Sequence, residues 1–184
     1  MLRALLRPMI ARMERDYDYD ASYMREVLET SPCTFLKFSV ITGVVARRDA
    51  PAAALAAAGL VGKLAEDCGP CTQIGVDIAS RSGVKPAVLR AILAGDEAAM
   101  GADAALAYRF ARASLERDMQ RADPERDEIV RRWGRKGLVA LSMALTTARM
   151  YPTLKYALGH GRACSRVMVG GEPAPFHPPL LEAA

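Results

Sequence analysis

Apolar positions recur at helical spacing along most of the chain. Leu2, Leu5, Leu6, Met9, Ile10 and Met13 mark one face of a first helix. After the cap-and-turn run DYDYD, Ala21–Glu29 reads as a second helix, which Ser31-Pro32 stops because proline disfavours helical geometry in the residue before it. Cys33–Val45 is strand-like in composition, but Phe35, Leu36, Phe38, Val40 and Ile41 do not alternate, so a helix is expected. Asp49 and Pro51 open an Ala-rich helix running to Ala65, whose small side chains allow close helix approach. Another helix starts at Gly69 or Pro70 and runs to about Arg81, with Ser82-Gly83 as its stop; Pro86–Leu93 is closed by Gly95-Asp96.

Met100–Gln120 and Glu125–Trp133 also read as helices, the second with Asp123-Pro124 as cap and first-turn proline. Leu138–Leu158 is apolar nearly all round at its middle and therefore central, with Pro152 expected to kink or break it. Beyond Gly159 the chain reads as an irregular tail that wraps a surface or a neighbouring subunit. No Asn-Gly hairpin, alternating strand or internal repeat stands out. The pattern predicts an all-α bundle forming one domain over residues 1–184, with its core at about 20–160 and an irregular tail over 161–184.

Composition sharpens this picture. The 184 residues are 51% hydrophobic but only 6% aromatic, so the apolar content is mostly Ala, Leu, Val and Met, which suits packed helices. The net charge of +4 demands no nucleic-acid or membrane partner. The charge-free runs Ala50–Gly62 and Leu138–Ala148 are too short to cross a bilayer, which takes about 20 residues. Arg3, Arg7 and Arg12 interrupt the N-terminal apolar stretch, which lacks a signal-peptide pattern; it has some transit-peptide character, being Arg-rich and free of acids until Glu14, but reads best as an amphipathic helix. The expected location is the cytoplasm.

The chemistry concentrates in EDCGPCTQIGVDIA, Glu66 to Ala79. Cys68 and Cys71 form a CxxC at the start of a helix, where unpaired N–H groups and the dipole favour a thiolate. Lys63 adds positive potential one turn earlier, and Glu66 and Asp67 oppose it. The spacing also lets the pair close a small disulfide. CGPC is the thioredoxin tetrapeptide, but no strand precedes it and no βαβ pattern surrounds it, so that fold is rejected.

Together with the following segment Gly83, Val84, Pro86, Leu89, Ile92, Gly95 and Asp96, the pair resembles the AhpD-like/carboxymuconolactone decarboxylase family over about Ala53 to Asp96. The resemblance implies an all-helical, AhpD-like fold, a homotrimer or homohexamer, and thiol-dependent peroxidase activity without a cofactor. Peroxide would be the substrate and a thiol/disulfide partner the electron donor. By matching position Cys71 would be peroxidatic and Cys68 resolving. This chain departs from the family's CxxCxxxH motif: Gly75 stands at the histidine position, and the region of Ala56, where the family carries a glutamate, has no acid. Glu66, the nearest upstream carboxylate, is the candidate base; Asp77 is expected at the surface.

Other constellations compete. Cys68, Cys71, His160 and Cys164 would make a Cys₃His zinc set, or His160 would serve as a substitute base. Cys33 is expected to be a small core residue, Cys164 buried and inert, and His177 exposed. Arg47-Arg48 and Arg131-Arg132 with Arg135-Lys136 lack interleaved aromatics, which argues against nucleic acid. Trp133 should pack a helix turn. Arg149, inside a nearly apolar helix, needs a carboxylate, a carbonyl or water as partner, and an acid across a subunit boundary is the expected one. An oligomeric binding or interaction protein with an idle cysteine pair is the alternative to an enzyme, and lactone decarboxylation is the weakest reading.

Overall fold

A computed structural model describes residues 2–43, 49–161 and 167–174 of the chain. Those residues are mainly helical, in eight helices and one short hairpin. They form two compact units: one from residues 2–43 together with 154–161, the other from 49–153 and 167–174.

In the first unit, α1 (Leu2–Tyr17), α2 (Ser22–Thr30) and α3 (Pro32–Gly43) pack in sequence order. The punctuation works as the sequence indicates: α2 ends before Ser31, and Pro32 takes the first position of α3. Ile10, Tyr23, Leu28 and Phe35 are the fully buried large side chains here, with Tyr19 and Met24 buried beside them. The expected stripe on α1 is only partly covered, since Leu5 remains 74% exposed and Met9 is exposed beside the buried Ile10. Cys33 corrects the sequence expectation. It is exposed, because α3 buries itself through Phe35 and has no single apolar stripe that would draw Cys33 inward.

The second unit is built around α4 (Ala52–Leu64), which packs on α5 (Gly69–Arg81), α6 (Pro86–Ala94) and α7 (Ala102–Glu116). Ala54, Ala57 and Ala58 are fully buried, so neighbouring helices come close along this face. At Gly62 the approach of the last helix is tight, since an added Cβ would meet the Leu145 carbonyl oxygen at 2.8 Å. Gly95, at φ 72°, closes α6 in the left-handed conformation that its sequence position suggested.

The last helix departs from expectation at both prolines. α8 (Met119–Ala157) starts before Pro124 and runs through Pro152; its non-helical residue is Gly134, at φ 68° and ψ −179°. Asp118, rather than Asp123, caps it: the Asp118 Oδ1 accepts the Arg121 backbone N–H at 3.0 Å. From Leu154 onward α8 belongs with the first unit. Trp133 packs at the edge of the second unit's core, as expected, and lies against Gly137.

The tail is not wholly irregular. Val167–Val169 (β1) and Glu172–Ala174 (β2) form an antiparallel hairpin turned by Gly170-Gly171, both at positive φ. Two glycines at positive φ suit a two-residue hairpin turn, whose twist matches that of the strands. Val167 and Val169 are buried, and the hairpin packs on α5 and α6.

The basic cluster at Arg131 and Arg132 is paired within its own helix. Glu128 accepts from Arg131 Nη2 at 2.5 Å and from Arg132 Nε at 2.6 Å, which lowers its carboxyl to about 2. The folded value lies below the ordinary one, so this fork stabilises the folded state above about pH 4.5. That contribution is lost as pH falls through about 2. An NMR titration of Glu128 should show this depression; an ordinary carboxylate midpoint would mean that the fork does not form in solution. Arg47 and Arg48, the other basic pair, lie outside the described residues.

Candidate functional site

The α4–α5 connection positions the cysteines. After Leu64 the chain turns over four residues, with Glu66 N–H donating to Lys63 O at 3.2 Å and Asp67 N–H to Leu64 O at 3.1 Å. Asp67 takes φ 48°, a left-handed conformation that Asp tolerates better than most residues, and the chain reverses there. Cys68 follows as the N-cap of α5 with extended geometry (φ −109°, ψ 90°), Pro70 lies in the first turn, and Cys71 completes that turn. The Cys68 carbonyl accepts both the Thr72 N–H at 2.9 Å and the Thr72 hydroxyl at 3.0 Å.

Both cysteines are nearly inaccessible, Cys68 at 3% and Cys71 at 4% exposure. Two effects oppose each other at Cys71. Burial works against a charged thiolate, whereas the first turn of a helix favours it by about 0.3–1 kcal/mol.

Glu66 is not an isolated surface acid. Its Oε1 accepts from Arg149 Nε at 2.5 Å, and its Oε2 lies 3.1 Å from the Thr153 hydroxyl. That hydroxyl has one proton and lies closer to the Arg149 carbonyl, at 2.7 Å, so its donation to Glu66 is shared. Arg149 therefore finds its acid within its own chain, correcting the expectation of an intersubunit partner. A nearly apolar helix did need a carboxylate for its guanidinium, but the tight turn after α4 brings one to it. The pair also compensates one of the two negative charges at the mouth of α5. Glu66 is half-buried and Arg149 exposed, so a double-mutant cycle of Glu66→Ala and Arg149→Ala should give a coupling of about 0.2–1 kcal/mol in urea unfolding. Strict additivity would show that the pair contributes nothing.

Asp77 is half-buried rather than at the surface, and accepts from Gln73 Nε2 at 2.8 Å. Gln73, which sequence reasoning passed over, also grips the hairpin. Its Oε1 accepts the Met168 N–H at 2.6 Å and its Nε2 donates to the Met168 carbonyl at 3.1 Å. A side-chain amide presents the same donor and acceptor as a backbone, so Gln73 pairs with β1 as a strand would. Arg90 of α6 holds the far end, donating to Val169 O and to Glu172, each at 2.8 Å.

Gly75 occupies crowded ground. A Cβ there would lie 3.0 Å from Leu60 Cδ2, 3.0 Å from Lys63 Cδ and 3.2 Å from Lys63 Cε. Lys63 lies in the last turn of α4 and is half-buried.

His160, the alternative base and zinc ligand, is engaged elsewhere, in the first unit. Its Nε2 donates to Glu26 Oε2 at 2.7 Å, leaving Nδ1 to accept the Ser22 hydroxyl at 3.1 Å. Among the described residues no three His, Cys, Asp or Glu side chains group as a metal site; Cys164 and His177 lie outside them. No helix among the described residues is long and apolar enough to cross a membrane. No protein-family model matches this sequence, no curated protein matches it, and no solved structure matches its fold.

Proposed function

We propose that this chain is an AhpD-like dithiol protein whose Cys68/Cys71 pair reduces hydroperoxides. The observation that carries the reading is the placement of Cys71 in the first turn of α5, with Cys68 as that helix's N-cap. Cys71 sulfur, as thiolate, attacks one peroxide oxygen; the O–O bond breaks, the alkoxide takes a proton to leave as alcohol, and Cys71 becomes a sulfenic acid. The Cys68 sulfur then attacks that of Cys71, water leaves and a disulfide forms. Two electrons have passed from the dithiol to the peroxide, and an external dithiol restores the pair by thiol–disulfide exchange. The resemblance in sequence supports a homo-oligomer, a trimer or hexamer; a cytoplasmic setting is the default for a chain with this composition. Glu66, bound by Arg149, serves less as a base than as a compensated charge.

A second reading has its own support. Burial of both cysteines favours an idle, structural pair in an oligomeric binding protein, because buried thiols in apolar surroundings are inert. Treating the reduced protein with hydroperoxide separates the two. The redox reading expects loss of two alkylatable thiols at Cys68 and Cys71, reversed by dithiothreitol. Retention of both thiols under excess oxidant would leave the binding reading in possession.

A further inference from the structure

The first unit holds its own group of reactive side chains. His160 lies just past the end of α8, where Gly159, at φ 80°, turns the chain back. The Gly159 N–H donates to Tyr156 O and the His160 N–H to Lys155 O, each at 3.0 Å, the two bonds of a Schellman close. Gly161 belongs to the same turn, since a Cβ there would run into the Tyr156 ring. The glycines on either side of the histidine thus set where its ring goes, and it goes across one turn of α2. There Nδ1 accepts the Ser22 hydroxyl at 3.1 Å and Nε2 donates to Glu26 at 2.7 Å. Ser22 and Glu26 stand four residues apart on one face of the helix, so a single imidazole reaches both.

We propose that Ser22, His160 and Glu26 form a nucleophilic serine site that takes acyl groups from small esters. A hydroxyl bonded to a base, with that base oriented by a third group, is the arrangement that activates a serine on unrelated folds. An ionised Glu26 only accepts, so it fixes a proton on Nε2 and leaves Nδ1 to take the Ser22 proton. Ser22 Oγ adds to the ester carbonyl carbon as that proton passes to Nδ1. The ester C–O bond then breaks, the alcohol leaves with the proton, and Ser22 is acylated. Water repeats the sequence at the acyl carbon, releasing the acid and restoring the hydroxyl. Ser22 and His160 are only half-buried, which the attack requires. Ser22 is also the first residue of α2, so charge developing on the carbonyl oxygen forms at the favourable end of the helix dipole. Asp20 opposes that charge, but it is exposed, and its Oδ1 already accepts the Ser22 N–H at 2.9 Å. That N–H, helped by the Ser22 hydroxyl, holds the Asp20 carboxyl below its ordinary range. The hydroxyl thus has two acceptors for one proton, and both leave its oxygen electron-rich.

The probe is 4-nitrophenyl acetate, added to the full chain and quenched with acid, with the acetylated residue located by mass spectrometry. Ser22 should carry the acetyl group. His160→Gln should slow that acetylation about a hundredfold. Glu26 acts through the histidine, as a positioning residue, so Glu26→Gln should slow it only about two- to fivefold, the size of an exposed ion pair. The same change should free the tautomer. In mildly alkaline buffer, imidazole ¹⁵N spectra should show the Nε2–H form in the parent and a mixture in Glu26→Gln, since an amide donates as well as accepts. Circular dichroism of each variant checks that the fold persists. The doubly substituted Cys68→Ser, Cys71→Ser chain should acetylate at the parent rate, so this site and the dithiol are judged separately. A Ser22 left unacetylated, beside a serine protease that reacts in the same buffer, overturns the proposal. So does acetylation of Ser22 at an equal rate in His160→Gln.

Discussion

Cys71→Ser should reduce hydroperoxide consumption to the rate of buffer, while Cys68→Ser should allow one turnover and then stop. The asymmetry follows from position in the helix. Cys71 lies in the first turn of α5, where the N–H groups without intrahelical partners favour an anionic sulfur; Cys68 is the capping residue and, in the proposed cycle, meets that sulfur second. A serine at 71 is far too weakly acidic to replace the thiolate, so the first bond to oxygen never forms. A serine at 68 leaves the sulfenic acid of Cys71 without its resolving partner, and that species should be trapped by a dimedone probe. Coupled peroxide assays with a dithiol reductant, run beside single-turnover mass spectra, read both outcomes. Undiminished consumption by Cys71→Ser would assign the chemistry to another group, and a single turnover with a trapped Cys68 sulfenic acid in Cys71→Ser, beside none in Cys68→Ser, would reverse the order of attack.

Gly62→Val should destabilise the second unit more than any other single glycine substitution on α4. A Cβ at 62 would stand 2.8 Å from the Leu145 carbonyl oxygen, 3.1 Å from Ala148 Cβ and 3.3 Å from Arg149 Cγ. Replacing a helical glycine by alanine ordinarily gains about 1 kcal/mol from propensity. Here the obstacle is backbone of a packed helix and cannot rotate aside, so overpacking dominates. With a branched side chain the loss should reach about 2–4 kcal/mol, lowering Tm by about 5–15 °C for a chain of this length. Gly43→Ala is the contrast, since nothing lies within 4 Å of its Cβ position, and stability should stay within about 0.5 kcal/mol. Thermal unfolding of the two variants checks the pair; an unperturbed Gly62→Val would mean that α4 and α8 are not held this closely.

Much of the helical frame was legible because it is written in local punctuation. Ser31-Pro32, Ser82-Gly83 and Gly95 end helices by constraints that act within a few residues. The start of α5 at the cysteine pair was legible for the same reason. What escaped was settled at long range. Glu66 and Arg149 are 83 positions apart, so no window along the chain reveals that each answers the other's charge. Pro124 and Pro152 read as a helix start and a helix break, but α8 carries both and breaks its geometry at Gly134 instead, after Asp118 has capped it early. Cys33 read as core because its neighbours are apolar, yet burial there is decided by which side of α3 meets α2. The tail was misjudged through its glycines. Gly170-Gly171 suggested irregular chain, whereas paired residues at positive φ make a compact hairpin turn just after two valines that enter the core.

The amide of Gln73 bonds Asp77 within its own helix, and its remaining bonds wait for Met168, 95 positions later. During synthesis, then, the dithiol helix leaves the ribosome long before its last partner exists, and at roughly 5–20 residues per second that gap lasts several seconds. For that interval the segment carrying both sulfurs lacks the hairpin that packs against it, so its thiols meet the surroundings of the nascent chain before the finished fold buries them.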